Sequence, residues 1–173
     1  MSEPKAAVNT KAVSERREVR LDTYEDLLAE VDRVVAAERE GRLRALGNWT
    51  PGQIFQHLGR WIEFAIDGFP FRYPWWVRVP GRVLTAVSWR WFYKTALKPG
   101  FRNPGEAKAV EPEASVSLEE GADYLRRQVR RVLDGEKMQQ PSPGGWRLSH
   151  GQWEWVQLRH AEMHLSFLHI GGE

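Results

Sequence analysis

The chain has 173 residues, 42% of them hydrophobic and 28% charged, which is the size and composition of one folded domain. Zero cysteines exclude a disulfide framework, a thiolate zinc site and a cysteine nucleophile. A formal charge of +2 gives no argument for nucleic acid, and no run nears the roughly 18 apolar residues of a membrane span.

Residues 1–16 are small, polar and aperiodic, and are read as a flexible N-terminal tail ahead of a single domain over 17–173. Met1 to Lys11 lacks the apolar core of a secretory signal, so the cytoplasm is the expected compartment. From Asp22 the pattern is helical: Tyr24, Leu27, Leu28, Val31, Val34 and Val35 recur at spacings of three and four, up to Gly41. Thr50-Pro51-Gly52-Gln53 then combines an N-cap, a proline at the first helical position and a glutamine three residues after the cap. The stripe Ile54, Leu58, Trp61, Ile62 and Ala65 follows, and Gly68 stops it.

The connection from Phe69 to Val116 holds six prolines and cannot be one continuous helix. A separate helical piece is expected between Gly81 and Lys98, and extended coil from Pro99 to Pro112. Ser117-Leu118-Glu119-Glu120 opens another helix, which Gly135 closes. Its acids come early and its arginines late, as the helix dipole favours, so the arginine run needs no ligand. Ser149 and Gln152 cap a last helix running to about His169. Four amphipathic helices of this length point to an all-α four-helix bundle with a long, partly helical crossover between its second and third helices.

The histidines carry the chemistry. With His160 at zero on a helical wheel, Trp153, Val156, His164 and Phe167 all fall within about 40°, and Gln157 at about 60°. His57 lies within about 60° of Ile54, Trp61 and Phe64 on its own helix. His57, His160 and His164 therefore point inward from two helices, and each buried ring nitrogen needs a partner. A divalent metal satisfies several at once, imidazole suits zinc, nickel and iron, and three protein ligands leave a position open for water or substrate. Spacing alone is weak evidence, because an HxxxH pair on a helix is more often hydrogen-bonded than metal-bound; the third His on another helix strengthens it. Glu162 points about 200° away from the pair, so a zincin-type protease is not expected. His150 and His169 are read as structural or solvated, and Gln157 as supporting the ligands or plugging the end of the bundle.

Together, Trp49-Thr50-Pro51-Gly52-Gln53 leading to His57-Leu58, and His160-Ala161-Glu162-Met163-His164, resemble the DinB-like superfamily of four-helix-bundle proteins. Asp67-Gly68-Phe69-Pro70-Phe71, Leu158-Arg159-His160 and Leu165-Ser166-Phe167 look like one of its branches, a domain of unknown function. The resemblance spans about residues 17–170. It implies an up-down-down-up bundle and a divalent metal on His57, His160 and His164. Characterised relatives imply a thiol-dependent transferase or isomerase, in which the metal acidifies the thiol of a low-molecular-weight cofactor. The alternative is a non-catalytic binding or scaffold module whose His cluster is free of metal.

The crossover mixes Trp75, Trp76, Trp89, Trp91 and Phe92 with six bases. Trp89 and Trp91 lie about 160° apart on a helix and share no face, so the aromatics are expected to pack onto the bundle rather than meet a membrane surface. The expected partners are a small-molecule ligand or thiol and, through spare aromatics, a second copy in a homodimer; no nucleic acid is expected. Phosphate-cradle motifs are absent. Asp22, Asp26 and Glu30 are read as a solvated face.

Overall fold

The computed structural model describes residues 7–100 and 105–172. The described chain is mostly helical, with α1 at Tyr24–Arg39, α2 at Pro51–Asp67, α3 at Trp75–Ala96, α4 at Leu118–Leu133 and α5 at His150–Leu165. A two-stranded antiparallel sheet pairs β1, Leu43–Ala45, with β2, Leu168–Ile170. No helix among the described residues is long and apolar enough to cross a membrane.

One local device starts four of these helices. Thr23, Thr50, Ser117 and Ser149 each accept a hydrogen bond from the backbone N–H three residues on, and the side chain at that position bonds back to the cap. Each reciprocal pair satisfies two groups that a helix N-terminus otherwise leaves bare. Behind the caps, the inward stripes of α1, α2, α4 and α5 meet in one core built around Val31, Phe55, Leu58, Leu125, Val129 and Trp153.

Side-chain and backbone contacts fix the helix directions. Gly52 lies against Ser117, Gly59 against Tyr124, and Asp67 bonds Arg131, so α2 and α4 run parallel. Arg39 pairs with Glu119 and Asp32 with Arg126, so α1 runs against α4. His57 meets His160 while the Trp61 carbonyl meets Gln157, so α5 runs against α2. The parallel contact is unusually close: a Cβ on Gly121 would stand 2.2 Å from the Gly52 carbonyl oxygen, and one on Gly59 would stand 2.6 Å from the Tyr124 ring. Only glycine lets these backbones approach so far.

Several expectations need correction. The last helix ends at Leu165 rather than near His169, because residues 168–170 turn back as β2 against β1 and bury Leu168 and Ile170. A strand of three residues is too short to register as an alternating pattern. Within the expected coil, Gly105–Val110 forms a 3-10 helix that buries Ala107 and Val110; residues 101–104 lie outside the described residues. α3 begins at Trp75, six residues before the expected start, with Pro74 as its N-cap, where a missing N–H costs nothing. It continues past Pro80, and its break falls at Ser88, whose φ of −157° and ψ of 81° are not helical.

Glu30 is not solvated: it is buried and bonds Arg17 and Arg33. Of the expected tail, residues 1–6 lie outside the described residues. Over residues 7–16, Val8 exchanges hydrogen bonds with Asn48, Glu15 pairs with Arg44 and Arg16 bonds Ser166.

The crossover aromatics divide between two faces. Trp146 sits against Gly81 and donates to the Tyr93 hydroxyl, while Trp89 packs edge-on to Trp155. Trp75, Trp76 and Trp91 instead face outward, 71%, 62% and 57% exposed, against the expectation that these rings pack inward. Gly81, which receives the Trp146 ring, marks the inward side of α3, and by the 100° step of a helix Trp75 and Trp76 lie about 120° and 140° away from it.

Candidate metal centre

The capping box of α2 fixes its phase, and two turns later His57 enters the core; His160 and His164 reach it from consecutive turns of α5. His57 and His160 are buried and His164 is partly exposed. The three offered ring nitrogens lie within 4.8 Å of one another. The His160 Nε2 stands 3.3 Å from the His57 Nε2 and 3.0 Å from the His164 Nε2.

The tautomer of His57 is set from outside the cluster. Its Nδ1 lies 2.6 Å from the Val110 carbonyl, which can only accept, so Nδ1 carries the proton and Nε2 presents a lone pair to the other rings. A neutral His160 Nε2 has one in-plane position, holding either a proton or a lone pair, yet faces two partners. Three imidazoles alone therefore leave the centre of the cluster poorly satisfied.

Protonation is not the remedy. Burial pushes His57 from 6.5 down to about 4, against the pull of the Val110 carbonyl and helped by Arg60. Burial, and then the neighbouring His57, hold His160 well below its ordinary value. His164 is depressed by burial and by both other imidazoles. A compact, neutral, lone-pair-bearing cluster is the donor set that a divalent ion requires. Ligand nitrogens about 2.0–2.1 Å from a tetrahedral ion stand roughly 3.3–3.4 Å apart, close to the two separations found here.

Aromatic rings hold the imidazoles in place. Trp49 stacks on His164 at 5.4 Å and leans on His57 at 4.8 Å, while Trp61 meets His160 edge-on at 5.5 Å. The Trp61 indole N–H is buried without a hydrogen-bond partner. The cluster lines a cavity of about 860 Å³ together with Tyr73, Val77, Phe92 and Trp146, and Lys11 and Lys98 also border it. An ion on the three histidines would have its open position beside this cavity.

The other histidines stand elsewhere. His150 accepts from the Met138 N–H and lies 3.6 Å from Glu154, and His169 belongs to β2. Glu162 bonds the Leu21 N–H and Arg159, facing away from the cluster. Gln157 is buried and donates to the Trp61 carbonyl, tying α5 to α2 one turn from His57. Sequence reasoning missed three contributors. Trp49 stood in the motif and Trp61 on the face of His57, but neither was read as a ring packed on the imidazoles; the Val110 carbonyl, from a segment read as coil, had no signal at all.

The fold and the cluster define an all-α protein with a three-histidine site close enough to hold a metal ion. The chain belongs to the family described as "Protein of unknown function (DUF1569)", whose model matches residues 14–170. No curated protein and no solved structure matches it.

Proposed function

We propose that this chain is a DinB-like four-helix-bundle protein that binds one divalent metal through His57, His160 and His164. Its proposed activity is transfer to, or isomerisation of, a small electrophile with an external low-molecular-weight thiol. The observation that carries the metal reading is the His160 Nε2, which faces two other imidazole nitrogens and can satisfy one. The opposed directions of α1 and α5 against α2 and α4 support the bundle reading.

A metal bound there supplies Lewis acidity, lowering the pKa of a thiol or water set against it. The chain supplies the rest. Val110 fixes the His57 tautomer, and Trp49 and Trp61 hold the ring planes. The largely apolar cavity wall offers contact area to a small ligand, and Lys11 and Lys98 favour one carrying negative charge. The thiol comes from outside because the chain has no cysteine.

The first test is elemental mass spectrometry on tag-free protein beside a His57→Ala/His160→Ala/His164→Ala variant. About one equivalent of metal in the parent and none in the variant is expected. Absence of metal from both after reconstitution would overturn the reading. Thiol-dependent turnover abolished by chelation and by His160→Ala tests the activity; normal turnover in that variant would sink it.

A further inference from the structure

Of the large hydrophobic side chains exposed among the described residues, all but Leu133 lie on α3, and the metal site does not explain them. By the 100° step of a helix, Trp75, Val79, Val83, Trp76, Val87 and Leu84 fall within one half-turn of about 180°. All six are exposed, Val87 to 82%. Gly81 and Thr85 lie on the opposite side, where Gly81 receives the Trp146 ring. This is a continuous apolar strip turned to solvent, not scattered surface residues.

Its charge is equally one-sided. Between Asp67 and Glu106 the sequence holds seven Lys and Arg and no acid, while the rest has 18 bases against 23 acids. Elsewhere, arginines pair with carboxylates across the fold, as in Arg39 with Glu119 and Arg131 with Asp67. Around α3, Arg72, Arg78, Arg82, Arg90, Lys94 and Lys98 form no ion pair with an acid among the described residues. Arg82 borders the apolar strip, about 20° from Trp75 on the wheel.

From this we infer that α3 is an interfacial helix that docks the protein on an anionic lipid bilayer. The outer Trp, Val and Leu side chains enter the headgroup region, and the exposed Arg82 and Arg90 meet lipid phosphates and carboxylates. Tryptophans at the apolar edge with flanking bases are what such a surface selects. The unopposed positive charge favours a bilayer over a second copy, whose α3 would bring the same bases. The inference is independent of the metal reading.

The test is co-sedimentation of the full chain with vesicles of phosphatidylcholine, with and without phosphatidylserine, across a salt series. Binding to the anionic vesicles that weakens with salt is expected. Trp75→Ser with Trp76→Ser should lower the partition coefficient about tenfold or more. Arg82→Gln with Arg90→Gln should lower it about fivefold per base. All four side chains are exposed, and unchanged far-UV dichroism would show that the fold is kept. No binding to anionic vesicles at low salt, or binding indifferent to these substitutions, would overturn the inference. So would a dimer that the Trp substitutions disperse in protein that ignores vesicles, since a second copy would then be what covers the face.

Discussion

At His160, one nitrogen serves two neighbours, and the residues around it decide how well the cluster keeps its shape. Trp49 touches two of the three rings without offering a ligand atom. Trp49→Leu is expected to lower metal affinity about tenfold, by the usual cost of losing a group that orients ligands, read by competition with a chelator. The metal-free protein should also be acid-sensitive. Burial lowers His57 from 6.5 to about 4, so the unfolded chain takes up that proton at higher pH than the folded one. Stability from this source is complete above about pH 6.5 and declines as pH falls toward about 4, by up to about 1.4 kcal/mol per unit for each such group. Urea denaturation of stripped protein at several pH values should show that decline, and the triple-alanine variant a shallower one.

Among the elements, the parallel contact of α2 with α4 is the least tolerant of added volume. Gly121→Ala would push a Cβ onto the Gly52 carbonyl, a backbone atom that cannot swing aside. A loss of about 1–3 kcal/mol is expected, measured by chemical denaturation. The capping boxes at Thr50, Ser117 and Ser149 and the inward phase of three histidines were legible in the sequence, because caps and helical period are local properties. The burial of Glu30 was not, because Arg17 comes from a segment without any period. Nor were β1 and β2, whose pairing joins residues far apart in sequence. α3 was half legible: its wheel separated Trp89 from Trp91, as the fold does, but gave no sign of which side Trp146, from a distant loop, would meet.

For the whole molecule, the three histidines join two helices whose facing residues His57 and His160 are 103 positions apart in sequence. An ion held by α2 and α5 would stabilise the folded state alone, by about 2.7 kcal/mol at a hundredfold excess over its dissociation constant. Chelation should therefore lower the melting temperature of the parent and leave the triple-alanine variant unmoved, as scanning calorimetry can read.

The cavity has one further consequence, which lies in how such a protein diversifies. Its histidines stand on α2 and α5, whereas much of its aromatic wall belongs to α3 and the loop carrying Trp146. The three histidines and this part of the cavity wall thus stand on separate stretches of chain. Exchanging the 22 residues of α3 re-cuts the chamber while leaving the triad and its supporting tryptophans untouched. If the histidines bind metal as proposed, a lineage built on this plan could keep that centre while re-shaping the chamber beside it, and the crossover is where its members should differ most.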